Sequence, residues 1–244
     1  MQAEQYAAMA AVEDRMWWYR ALHRNVLALL ASALPAGDGA ILDAGCGTGG
    51  LLRRLAERWP AARLCGLEAS PLALALARPR TRAWLVAGSV NRLAFADRRF
   101  DAVVSLDVLY HANVRADAAL AEMRRCLRRG GVAVINLPAY RWLGSAHDVR
   151  VQGARRFSAS EAIALVRAAG LQVEWTSYWN TIPFPAMAVR RLLAAGVGGG
   201  DVRLYPPVLD WLLDRAMRLE HRALRRRWRL PFGGSVLLLA RRDD

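Results

Sequence analysis

The sequence predicts an α/β protein built on an open, mostly parallel sheet, and three observations carry that prediction. Ile41-Leu42-Asp43-Ala44 runs into glycines at positions 45, 47 and 49 and then into Leu51-Leu52-Arg53-Arg54-Leu55, which reads as a strand, a sharp turn and an amphipathic helix. Short apolar runs go on alternating with helical segments as far as Gly170, the pattern of strands joined by crossover helices. Residues 132–137 form an apolar run suited to a buried central strand.

Each element has a local reason. Residues 3–34 read as two helices: Ala7, Ala8, Ala11 and Val12 share a side of the first, and Leu22, Val26, Leu29 and Leu30 recur at helical spacing in the second, which stops at Pro35 and Gly37. Residues 40–44 are the first strand and 49–59 the helix after it, ended by Pro60. Residues 63–67 are the second strand, closing on Glu68, and Ser70 and Pro71 supply an N-cap and a first-turn proline for the next helix. Residues 84–86 and 100–106 read as the third and fourth strands, 116–127 as a helix stopped by Arg128-Arg129-Gly130-Gly131, and 132–137 as the fifth strand. Ser158 with Glu161 makes a capping box for a helix reaching Gly170, and residues 171–177 and 235–240 are the last two strands.

At 244 residues and 55% hydrophobic content, the chain suits one α/β domain with additions or one domain plus a small cap. No charge-free apolar run reaches the ~18 residues of a membrane span, and Met1-Gln2-Ala3-Glu4-Gln5 lacks the basic and apolar regions of a secretory signal. The expectation is a cytoplasmic protein, peripheral at the inner face of the membrane if its basic segment binds lipid. Cys46, Cys65 and Cys126 show neither metal-ligand nor disulfide spacing and read as free thiols in or near the sheet. The net charge of +14 raises polyanions as partners, but every basic residue is arginine and none is lysine, a bias that a GC-rich genome produces unaided. Such a bias does not create a net excess over acids, so part of the charge needs another explanation.

Glycines tolerate positive φ and let a main chain approach a ligand, with helix N-terminal amides facing it. With Gly50 the segment also satisfies G-x-G-x-x-G, in which the helix start holds a dinucleotide pyrophosphate. Glu68, about 20 residues beyond the turn, could accept both ribose hydroxyls of an adenosine, which fits either of two cofactors.

Asp43-x-Gly45-x-Gly47-x-Gly49 resembles motif I of the class I S-adenosylmethionine (SAM) methyltransferases. Gly88-Ser89-Val90, Leu93, Phe95, Phe100-Asp101 and Val103 resemble the adenine and fourth-strand motifs of that family, Asp107-Val108-Leu109-Tyr110-His111 its segment beside the methyl site, and Leu127, Gly130-Gly131 and Ile135 its fifth strand. Pro138-Ala139-Tyr140, His147-Asp148 and Arg155-Arg156-Phe157-Ser158 are similar to a bacterial subgroup, with Phe157 in place of a tyrosine.

The resemblance implies a Rossmann-like sheet of seven strands with the last antiparallel, helices on both faces, an N-terminal helical lid at 1–39 containing Trp17 and Trp18, a SAM-binding core at 40–180, a helical insertion at 181–234 and a final strand and tail at 235–244. Pure core packing is the rival reading of the tryptophan pair. The implied cofactor is SAM, held by Asp43, Gly45, Cys46, Gly47, Gly49, Glu68, Ala69, Ser89, Val90, Leu106 and Asp107. Ser89 or a main-chain carbonyl must serve where the family often has an acid for the adenine amino group. Candidates for removing an acceptor proton are His147, Asp148, Tyr140 and His111, of which His111 reads first as a pocket-lining residue. His147 and Asp148, adjacent in sequence, share a site only if a turn lies there; otherwise Asp148 pairs with Arg155 or Arg156. No metal cluster is visible.

Residues 208–229 place Leu209, Leu212, Ala216, Leu219 and Ala223 on one side of a helix and Arg215, Arg218, Arg222, Arg225, Arg226 and Arg229 on another. This is either a cap helix with solvated arginines or, with Trp211 and Trp228, a surface for an anionic membrane or polyanion. The expected activity is methyl transfer to a small-molecule or lipid- or glycolipid-linked acceptor. The alternatives are an RNA methyltransferase using the basic helix, an NAD-dependent oxidoreductase, and a SAM-binding protein without catalysis.

Overall fold

The protein is described from a computed structural model, which covers residues 3–34, 36–144, 153, 155–193 and 204–243. Its strands are β1 (Ala40–Ala44), β2 (Arg63–Glu68), β3 (Trp84–Ala87), β4 (Phe100–Leu106), β5 (Leu127–Pro138), β6 (Gln172–Trp179) and β7 (Ser235–Arg241). They form one sheet in the order β3-β2-β1-β4-β5-β7-β6, with β1 to β5 parallel and β7 antiparallel to both of its neighbours. This is the expected seven-stranded Rossmann-like sheet. β1 is buried throughout, and its side chains alternate, Leu42 and Ala44 joining one core and Ile41 the other.

The helices are α1 (Ala3–Val12), α2 (Trp17–Ala33), α3 (Gly50–Arg58), α4 (Pro71–Ala77), α5 (Ala116–Cys126), α6 (Ala159–Ala168), α7 (Phe184–Leu193) and α8 (Pro207–Arg225). Leu120 and Met123 of α5 and Ala162 and Val166 of α6 close one face of the sheet; Leu22, Val26 and Leu30 of α2, Leu52 and Leu55 of α3 and Met217 and Leu224 of α8 close the other. Each of the larger side chains contributes about 1.5–3 kcal/mol by burial. Ser158 and Glu161 form the expected capping box, and Ser70 caps α4 ahead of Pro71.

Two strand boundaries lie two or more residues from those expected. β5 starts at Leu127, which pairs with Phe100; the register breaks across Gly130, whose φ is +72°, and resumes at Ala102 and Val132, so the presumed helix stop is an irregular stretch of the strand. β6 runs to Trp179, which is fully buried.

In α8, Leu212 and Leu219 face solvent, while Leu209, also exposed, lines the cavity. A third face packs instead, through Asp214, Met217, Glu220 and Leu224. The carboxylates can enter because partners wait for them. Asp210 accepts from the Trp17 amide at 2.9 Å and from Arg20 at 2.7 Å, Asp214 accepts from Arg24 at 2.8 Å, and Glu220 accepts from the amides of Asn180, Thr181 and Ile182 ahead of α7. Burial still raises the Glu220 carboxyl, against the pull of those amides. Among the described residues no helix is long and apolar enough to cross a membrane. Cys46, Cys65 and Cys126 are free and buried, and burial raises all three thiols, Cys65 to about 12 and Cys126 to about 11.

Candidate functional site

The carboxyl ends of β1, β2 and β4 open into a cavity of about 970 Å³, the place where parallel sheets of this kind receive ligands. Its floor is the turn from β1 into α3. The amides of Gly45 and Cys46 donate to the Leu67 carbonyl at 2.8 and 3.0 Å, folding the turn back onto the end of β2. Gly45 has φ +93°, and a Cβ there would lie 2.4 Å from Val108 Cγ2, so only glycine lets the β1 and β4 ends approach so closely. Gly45, Cys46 and Gly47 line the cavity. Gly49, expected at the cofactor, lies off the lining: it holds φ +82° as the N-cap of α3 and packs on Ala77.

Gly50 has a different reason to be glycine. Its Cβ would lie 2.2 Å from Glu13 Cδ, because the Glu13 carboxylate is seated against the start of α3. Glu13 Oε2 accepts from Thr48 Oγ1 at 2.6 Å and from Arg80 at 2.7 Å, and Arg80 also reaches the Thr48 carbonyl at 2.9 Å and Asp14 at 2.8 Å. The position that completes a dinucleotide fingerprint in the sequence is therefore taken up by an internal carboxylate. Burial raises the Glu13 carboxyl, opposed by Thr48 and Arg80.

Three acids stand at the strand ends. Asp43 is buried in β1, and its carboxyl is pushed up to about 8 by burial and then by Glu13 and Glu68. Glu68 ends β2; its Oε2 accepts from the Gly47 amide at 3.1 Å and its Oε1 from the Ser70 amide at 3.0 Å and the Tyr6 hydroxyl at 3.2 Å. Burial and Glu68 together raise the Tyr6 phenol to about 12. Asp107 follows β4 at φ +51°, and Asn136 Nδ2 donates to both of its oxygens at 3.0 Å. Trp179 Nε1, which can only donate, reaches Asn136 Oδ1 at 2.7 Å and so fixes which way the amide points. Burial raises the Asp107 carboxyl to about 7, against Asn136 and Arg156.

The remaining expected residues divide. Ala69, Ser89, Val90, Leu106 and His111 line the cavity with the acids; Ser89 is exposed, its hydroxyl accepting from the Asn91 amide at 3.2 Å. The His111 ring lies 4.3 Å from the Tyr110 ring, and its main chain bridges to Gly153. Tyr140 does not line the cavity: at φ +52° it stacks on Tyr178 at 5.1 Å and packs against Trp142 and Phe184. His147 and Asp148 lie outside the described residues. Among the described residues no group of three or more His, Cys, Asp or Glu could hold a metal ion.

The cavity is also lined by residues that the sequence did not place at the cofactor. Tyr6 comes from α1 and Glu13 from the turn after it, Tyr19 and His23 from α2, and Arg156, Arg190 and Arg191 from the segments around β6. Burial lowers His23 to about 3, leaving a neutral imidazole. Acids and guanidiniums thus line one chamber.

Residues 41–131 match the family model described as a methyltransferase domain. Malonyl-[acyl-carrier protein] O-methyltransferase of Herminiimonas arsenicoxydans is 34% identical over 130 residues, 53% of this chain and 45% of the relative. Trans-aconitate 2-methyltransferase of Azoarcus sp. is 36% identical over 120 residues, 45% of this chain and 43% of the relative. The chain spans about half the length of these curated relatives. A chain from the solved complex of the Haloferax volcanii Trm112 methyltransferase activator superposes with a TM-score of 0.63 at 23% identity, over 98% of both chains, and so shares the fold.

Proposed function

Residues 41–131 match a methyltransferase domain, and we propose that the chain is a class I SAM-dependent methyltransferase acting on an anionic acceptor, either a small molecule or one linked to a lipid. The observation that carries this reading is the double polarity of one cavity, with Asp43, Glu68 and Asp107 at the strand ends and Arg156, Arg190 and Arg191 in the same lining. At about 970 Å³ the cavity sits at the upper end of the ~300–1,000 Å³ range of ligand pockets, which suits a cofactor and an acceptor together.

The residues present fit SAM. The glycine turn brings its main chain to the cavity, Glu68 already accepts hydrogen bonds from an amide and a phenol and can accept ribose hydroxyls, and Asp43 offers carboxyl oxygens to an amino group. Ser89 and Val90 stand for the adenine. When bound, SAM supplies a methyl group made electrophilic by its sulfonium. The protein's own part is alignment of the acceptor and exclusion of water. An acceptor hydroxyl or amine must also lose a proton, and Asp107 and His111 are the cavity groups able to take one. A carboxylate acceptor needs no base. The two relatives named for malonyl-[acyl-carrier protein] and trans-aconitate act on carboxylated compounds, which supports an acid as acceptor here.

Calorimetric titration with S-adenosylhomocysteine tests the cofactor, with NAD and Glu68→Ala as controls. Binding should weaken at least ~10-fold in the variant, the worth of a hydrogen bond to a charged group, with no response to NAD. Absence of binding to the unsubstituted protein, or a response to NAD alone, overturns the proposal.

A further inference from the structure

The outer surface of α8 carries two unlike stripes side by side. At 3.6 residues per turn, Arg215, Arg218, Arg222 and Arg225 run along one edge with Trp211 among them, and Val208, Leu212 and Leu219 run along the next. Both are open to water: Val208 is 72% exposed, Leu212 51% and Leu219 57%. Arg226, Trp228 and Arg229 continue the exposed surface beyond the helix. The Arg215 guanidinium lies 5.2 Å from the Trp211 ring centre, so cation and ring share one patch.

Among the described residues of α8 no acid interrupts this surface. The three carboxylates of α8, Asp210, Asp214 and Glu220, turn inward to Arg20, Arg24 and the amides before α7. Arg218 alone reaches one of them, donating to Asp214 at 2.7 Å. Half-buried arginines of α2 thus answer the acids of α8, and the arginines of α8 are turned outward as a net positive strip. The charge excess that composition alone left unexplained has a place.

We propose that this face of α8 seats the protein on an anionic lipid bilayer, with the aliphatic stripe at the acyl boundary and the arginine stripe on the headgroups. A polyanion such as RNA would engage the arginines and the tryptophans, but Val208, Leu212 and Leu219 offer nothing to phosphates or base edges. A bilayer uses both stripes at once. Leu209 and Leu213 of the same helix line the cavity, so a seated protein holds the cavity beside the lipid surface. That last point rests on the methyl-transfer reading; the seating itself does not.

Sedimentation of the whole chain with vesicles of phosphatidylglycerol and phosphatidylcholine tests it, with pure phosphatidylcholine as control. The chain should sediment with the anionic vesicles at low salt and be released as salt shortens the screening length. Binding should fall at least ~10-fold in Arg215→Glu/Arg222→Glu and equally in Leu212→Ser/Leu219→Ser, all at exposed positions, with unfolding midpoints unchanged. Failure of the parent chain to sediment with anionic vesicles overturns the proposal. So does undiminished binding by the leucine variant, or displacement from vesicles by single-stranded RNA at lower concentration than by lipid, which would assign the strip to a polyanion.

Discussion

The Tyr6 hydroxyl donates to Glu68 Oε1 at 3.2 Å, tying α1 to the acid that ends β2. The first helix therefore stands over the glycine turn and holds the carboxylate to which the ribose is assigned. Tyr6→Phe removes this bond, worth about 1.5–3 kcal/mol toward a charged acceptor. The rate of S-adenosylhomocysteine association, followed by stopped flow, should rise by about 5-fold or more as α1 yields more readily. An unchanged rate would mean that α1 does not gate entry.

Glu13 anchors the same helix from its other end. Its carboxylate is buried between Thr48 and Arg80, and removing one partner of a buried pair leaves the other charge unanswered, a loss of about 3–5 kcal/mol. Glu13→Ala should lower the urea midpoint accordingly, and Glu13→Gln, which keeps an acceptor for Thr48, should lower it less. Equal, small effects would show that the pair contributes little.

Asp43 sets a pH dependence. Its carboxyl is raised to about 8 in the folded protein from 3.8 in the ordinary state, so the native chain holds a proton that the unfolded chain has lost. The stabilisation is complete below the ordinary value and is lost as pH rises through the folded one. Between about pH 4 and pH 8 this group alone should cost up to ~1.4 kcal/mol of stability per pH unit, and Asp107, raised to about 7, acts in the same direction. Urea unfolding at several pH values should show that slope in the parent and a flatter one in Asp43→Asn. A parallel slope in the variant would remove Asp43 as its source.

The glycine turn, Glu68 and all seven strands were legible because each is written in neighbouring residues: an apolar run, a glycine spacing, an acid at a strand end. The contacts that close the cavity were not. Tyr6 meets Glu68, Glu13 meets Thr48 and Arg80, and Trp179 meets Asn136 only after the chain has folded over dozens of intervening residues, and no local periodicity marks such pairs. Gly50 also completes a dinucleotide pattern in the sequence, and its lack of a side chain answers the Glu13 carboxylate that follows α1.

Which face of α8 packs was not legible in the sequence, for a chemical reason. Hydrophobicity assigns Leu212 and Leu219 inward and Asp214 and Glu220 outward, and that ranking holds only where carboxylates lack partners. Arg24 and the amides of Thr181 and Ile182 reverse it. Tyr140 was read as a possible proton acceptor, yet its stacking on Tyr178 places it in an aromatic cluster away from the chamber.

The place of β7 between β5 and β6 governs how the chain can be made. A ribosome delivers β6 before β7, and the cap segments emerge between them, so β6 has no strand beside it while α7 and α8 are being synthesised. The outer edge of β5, made earlier, waits longer still. For that interval the nascent protein displays unpaired strand edges, one strand bearing Trp175 and Trp179, until Ser235–Arg241 pairs with both β5 and β6.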